Sequence, residues 1–221
     1  MLDYSLNEAA SKARLAVRGA GYSWGVSDEA ARAVFWCIRR GLPALDALAH
    51  LLYESRHQQA QVRELIISAQ VWSSADSYLC SLTAGCALAD KTEFFLSGNE
   101  VELRQVLSPL LLTPFLADIA TRSNKTMMLS AENASVQIDS SGHVTLDSNF
   151  VEQLQLDVLV CKQAVERSST SHRSNQTAVC NRVEIAQSAL DILNHFAANT
   201  FAPATRESRL LGAGAGENDN D

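Results

Sequence analysis

The apolar residues of this 221-residue chain change their spacing partway along, and that change limits the fold more than any motif does. Over the first sixty residues they recur at helical intervals. Leu6, Ala9, Ala10, Ala13, Ala16 and Val17 mark one face of a first helix, with Asn7, Glu8, Lys12 and Arg14 on the wet side. Ser5 and Glu8 have the spacing of a capping box, and Gly19 and Gly21 suit a left-handed helix exit. A second helix is predicted from a Ser27 cap through "AARAVFWCIRR", apolar all round between Val34 and Ile38 and stopped by Gly41. Pro43 starts a third, whose dry stripe is Leu45, Leu48, Ala49 and Leu52.

Beyond residue 125 the period becomes two. "KTMMLS", "ASVQID" and "HVTL" are separated by turn residues, and Val136, Ile138, Val144 and Leu146 alternate with polar neighbours, the habit of an antiparallel meander with one wet face. "LDVLVCK" is a further, more buried strand, and "ERSSTSHRSNQ" (166–176) reads as a solvated loop. Ile185, Ala189, Leu193, Phe196 and Ala197 mark a last helix. Between the two regimes the reading stays open. "AQVRELIISAQVW" fits neither period well, Gly85 in "LCSLTAGCALAD" suggests close backbone packing, and either Ser108-Pro109 or Thr113-Pro114 opens a helix through Leu116, Ile119 and Ala120. The expected class is α+β: an N-terminal helical unit, a small central meander, and a C-terminal helix followed by an ordered Gly-Ala tail. A division into 1–60 and 61–221 and one compact domain are equally compatible with this order.

Composition narrows the function classes. A net charge of -7, with no basic run longer than Arg39-Arg40, argues against a nucleic-acid surface. "LLLTPFLADIA" (110–120), the greasiest stretch, is too short to span a bilayer, and the N-terminus has no signal-peptide pattern. A soluble, cytoplasmic protein is expected. The five cysteines, without a Cys-x-x-Cys, read as buried small hydrophobes. No His or Cys cluster has metal-ligand spacing, and neither a Gly-x-Ser-x-Gly elbow nor a phosphate loop is present. No metal or cofactor is called for.

Two glycine-bearing segments remain as candidate sites. In "RGAGYSWG" (18–25), Tyr22 and Trp24 either wall a pocket or plug a tight helix–helix corner. In "SRLLGAGAGENDND" (208–221), successive amides around Gly212, Gly214 and Gly216 cradle an anion, with Arg209 as clamp and Thr205 and Ser208 adding hydroxyls. The plainer alternative is a frayed, solubilising end; Glu217, Asp219 and Asp221 also suit a hard divalent cation. The favoured reading is a protein that binds a small anionic or polar ligand. The alternatives are an enzyme with carboxylates assembled from Asp90 and the acidic end, and a subunit that docks on a copy of itself or on another protein through its tail.

"SLNE…RGAGYSWG", "SLTAGCALAD", "LLLTPFLADIA" and "TFAPATRESRLLGAGAGENDND" together resemble a bacterial, mainly proteobacterial, family of uncharacterised proteins defined as a domain of unknown function. The resemblance extends over nearly the whole chain. It implies a shared fold and makes the GYSWG link and the Gly-Ala tail family features. It implies no reaction.

Overall fold

The structure is a computed structural model and describes residues 2–56, 64–75, 78–164 and 179–201. A short strand β1 (Leu2–Ser5) leads into helices α1 (Leu6–Gly19), α2 (Trp24–Ile38) and α3 (Ala44–Ser55). The capping box forms as expected: the Ser5 hydroxyl accepts from the Glu8 amide at 3.3 Å and the Glu8 carboxylate accepts from the Ser5 amide at 2.8 Å. Ser27 is not the second cap. Ser23 takes that role, accepting from the Val26 amide at 3.3 Å, so α2 begins at Trp24 and Ser27 is buried within it, donating to the Ser23 carbonyl at 2.8 Å.

The glycines after α1 divide their work. Gly21 takes a left-handed φ of +93° and makes the turn. Gly19 stays helical, and its expected role at a left-handed exit is replaced by close packing: a Cβ there would lie 1.8 Å from the Phe196 carbonyl oxygen.

The ambiguous segment after α3 is a hairpin, β2 (Leu65–Ser68) and β3 (Val71–Ser74). Then come β4 (Leu79–Cys80), α4 (Ser81–Asp90), α5 (Thr92–Leu96) and β5 (Glu100–Leu107). Gly85 sits where α4 meets a following helix, and a Cβ there would be 2.3 Å from the Phe115 ring. A 3-10 turn (Pro109–Leu112) precedes α6 (Thr113–Ser123), so the helix opens at the second proline pair, though without a side-chain cap; the Thr113 hydroxyl donates to the Leu110 carbonyl instead. The meander follows as β6 (Met127–Ser130), β7 (Ser135–Ile138) and β8 (Val144–Leu146), then α7 (Ser148–Glu152) and the long β9 (Gln155–Gln163). β10 (Arg182–Ile185) and α8 (Gln187–Ala198) close the described chain; Ile185 belongs to the strand, not to the last helix. The loop 166–176 lies outside the described residues.

This is an α+β fold. The main sheet runs β2-β3-β5-β9-β6-β7-β8, with β4 added beside β5. Pairings are antiparallel except β3–β5 and β4–β5. One face, with Trp72, Leu103, Leu129, Val136, Leu159 and Cys161, packs on α4 and α6. A second apolar cluster joins α1, α2, α3 and α8 with Leu107, Leu110 and Phe115. β1 and β10 form a separate two-stranded ribbon that ties the two ends of the described chain together. No helix among the described residues is long and apolar enough to cross a membrane.

Candidate functional site

The end of α2 reads Trp36-Cys37-Ile38-Arg39-Arg40, and the four-residue step from Trp36 to Arg40 puts both on one side of the helix. Cys37 and Ile38 go into the core, which leaves Trp36 at its rim, packed against both apolar clusters. The Arg40 guanidinium lies over the Trp36 ring, 3.8 Å from its centroid. Its Nη1 donates to the Trp36 carbonyl at 3.2 Å and its Nη2 to the Gly142 carbonyl at 3.4 Å. Both acceptors are neutral, and among the described residues no carboxylate pairs with Arg40. Partial burial pulls the group below its ordinary pKa range, with a smaller opposing pull from Cys37 and a reinforcing push from Arg39. A guanidinium still carries its charge at neutral pH.

The Gly142 carbonyl is held by the turn between β7 and β8. Asp139 accepts from the Ser141 amide at 2.8 Å, the Ser141 hydroxyl at 2.6 Å and the His143 amide at 3.0 Å. Gly142 completes the turn with φ +80°. Burial works to raise the Asp139 carboxyl, but the hydrogen bonds from Ser141 and His143 outweigh it and hold the group below its ordinary value.

The last turn of α4 lines the same cleft with Cys86, Ala89 and Asp90, and α6 lines it with Asp118 and Thr121. The space is about 510 Å³, within the range of roughly 300–1,000 Å³ usual for small-molecule sites. A second cavity of about 280 Å³, lined by Arg39, His143 and Val179, also borders Arg40. Glu29 pairs with Arg32, and Asp118 with Arg122 at 2.6 Å, whereas Asp90 has no ion-pair partner among the described residues. Burial, with Glu29, Cys80 and Asp90 adding to it, pushes the Cys86 thiol up to about 12. It is therefore a protonated, weak nucleophile at neutral pH.

Of the residues proposed from sequence, Asp90 lines this cleft, and Tyr22 and Trp24 do not. Tyr22 is buried, at 5% exposure, with its hydroxyl 3.4 Å from Cys80 Sγ. Trp24 is 54% exposed, flanked by the Arg18 and Arg14 guanidinium groups at 4.8 and 5.5 Å. Arg18 also donates to the Tyr22 carbonyl at 2.7 Å. One ring plugs the core and the other stands outside it, and neither lines the Arg40 cleft. Thr205, Ser208, Arg209, Gly212, Gly214, Gly216 and Asp219 lie outside the described residues. The sequence reading places Trp36 in the all-round apolar run Val34 to Ile38, which ends before Arg40, and so does not join the two as a pair. The available signal was an aromatic followed four residues later by arginine at a helix end.

Ser108 and His50 also meet. Ser108 is buried with a left-handed φ of +50°, and its hydroxyl donates to the Ala47 carbonyl at 2.8 Å. With that proton engaged, the 3.2 Å contact to His50 Nδ1 has the ring N–H as donor. The pair braces α3 against the end of β5 and is not a nucleophile with its base. Burial lowers the His50 pKa, partly opposed by Glu54. The unfolded chain thus binds the proton more readily, and stability is present in full above the unfolded value near 6.5 and declines as pH falls below it. In urea titrations across pH 5 to 8, His50→Gln will flatten this slope; an unchanged slope excludes His50 as its source.

Among the described residues, no group of three or more His, Cys, Asp or Glu is placed to hold a metal ion. Residues 4–78, about a third of the chain, match the model of a family described as "Protein of unknown function (DUF3726)". The matched stretch contains the GYSWG link, Trp36 and Arg40, and leaves Asp90, the Asp139–His143 turn and the Gly-Ala tail outside it. No curated protein and no solved structure matches the chain. What the family match supports is kinship with an uncharacterised domain over the first three helices and the hairpin that follows them.

Proposed function

We propose that this chain is a small-molecule-binding or accessory protein of the bacterial cytoplasm, and that its ligand carries an anionic group received by Arg40. The observation that carries this reading is a partly buried guanidinium, stacked on Trp36 and without a carboxylate partner among the described residues, at the border of a 510 Å³ cleft. Removing a cation from water is costly unless it is paired, and an anionic ligand supplies that pairing with bidentate geometry. Cys86 is unsuited to thiolate chemistry, which favours binding over nucleophilic catalysis in this cleft. The enzymatic alternative gains only Asp90, which does line the cleft.

A second placement of the site, over Tyr22 and Trp24 with Thr205, Ser208, Arg209 and the Gly-Ala amides, has its own support. Asn199, at the end of α8, donates to the Gly19 carbonyl at 3.1 Å, so the chain leaves the described structure beside the link. One experiment separates the two. Thermal melts are recorded with inorganic phosphate, acetate and succinate for wild type, Arg40→Gln and a chain lacking 210–221. A ligand at about a hundred times its Kd raises the midpoint by roughly 5–10 °C. The expected result is a rise that Arg40→Gln abolishes and the truncation preserves. The reverse pattern moves the site to the tail, and no rise with any anion rejects the reading.

A further inference from the structure

The cleft bordered by Arg40 carries a second unpaired charge, and of the opposite sign. Of its three carboxylates, Glu29 is taken by Arg32 and Asp118 by Arg122. Asp90 is not taken among the described residues. It is the exposed last residue of α4, at the negative end of that helix. The Ala89 carbonyl beside it already attracts two donors, Arg122 Nη2 at 3.2 Å and the Thr92 hydroxyl at 2.9 Å. One part of the cleft therefore favours a cation and another, marked by Arg40, favours an anion.

We propose that the ligand is amphoteric: an amino acid or related zwitterion whose carboxylate meets Arg40 and whose ammonium group meets Asp90. This rests on Arg40 being the anion site. A simple mono- or dicarboxylate would satisfy Arg40 but leave Asp90 facing it with repulsion. A simple amine would do the opposite. Trp36, Ala33, Phe115 and Ala117 also line the cleft, and their apolar surface suits a short apolar spacer in the ligand. A zwitterion also brings no net charge into the cleft, so neither unpaired group is left facing a like charge.

The test is titration calorimetry of the full chain with straight-chain ω-amino acids from glycine to ω-aminohexanoate, each against the unsubstituted carboxylate of the same length. The best amino acid is expected to bind at least about fivefold more tightly than its carboxylate, the scale of one partly hydrated charge-assisted contact. Asp90→Asn will reduce that preference to less than about twofold, with binding of the plain carboxylates unchanged or tighter as the repulsion from Asp90 is removed. Arg40→Gln will remove binding of both series. Equal binding of both series to wild type, or a preference that survives Asp90→Asn, overturns the zwitterion inference and leaves the Arg40 reading standing. No Arg40-dependent binding in either series overturns both.

Discussion

Gly19→Ala will lower the melting temperature by roughly 6–12 °C, the equivalent of about 3 kcal/mol for a chain of this length. The added methyl would sit 1.8 Å from the Phe196 carbonyl oxygen and 2.7 Å from its carbon, and these are backbone atoms within α8 that no rotamer change can move. The helices must therefore separate, loosening a contact that includes Ala9, Ala13, Leu193 and Phe196. Alanine's better helix propensity recovers at most about 1 kcal/mol. Gly25→Ala is the matched control, because the nearest atom to its added Cβ is Ser23 Oγ at 4.0 Å. A melting point for Gly19→Ala within 2 °C of wild type would show that α1 and α8 do not pack as closely as described.

Trp72→Ala should cost about 4 kcal/mol, and Trp72→Phe only about 1 kcal/mol. Trp72 is fully buried on β3, paired with Leu103 across the β3–β5 register, so truncation to alanine opens a large cavity in the sheet's packed face. Its indole Nε1 is buried without a hydrogen-bond partner among the described residues. The native state already carries that desolvation penalty, and phenylalanine removes it while keeping most of the apolar volume. Denaturant unfolding of the two variants settles the matter. If phenylalanine loses as much as alanine, the indole N–H is bonded after all.

Local chemistry made much of the fold legible, and long-range placement hid the rest. Ser5 and Glu8 cap their helix through contacts three residues apart, and Val136, Ile138 and Val144 alternate within single strands, so both were readable from neighbours alone. The cap of α2 is not decided locally, because Ser23 and Ser27, one turn apart, are both plausible acceptors for a first-turn amide; tertiary packing buries Ser27 and decides between them. β5 went unread because its alternation breaks. Val101 and Leu103 face the core, Gln105 adopts φ +52°, and the buried set resumes at Val106. The residues of the Arg40 cleft come from α2, α4, α6 and a turn near residue 141, and no local period links them. Gly85 reads as a close-packing residue from its small neighbours and is one, whereas Gly19 reads as a helix exit yet matters as a gap into which α8 fits.

The β1–β10 ribbon and the α1–α8 contact give the molecule a closing order. The apolar face of α1 is completed by α8, which most of the described chain separates from it in sequence. Until Leu190, Leu193 and Phe196 emerge, Ala9, Ala13 and Val17 have no permanent cover on that side. Such sequence-distant closure is slow, because the intervening chain must surrender its freedom before the contact returns anything. A nascent chain consequently presents this greasy face until α8 has emerged, and the α1–α8 seam acts as the clasp that ends that exposure.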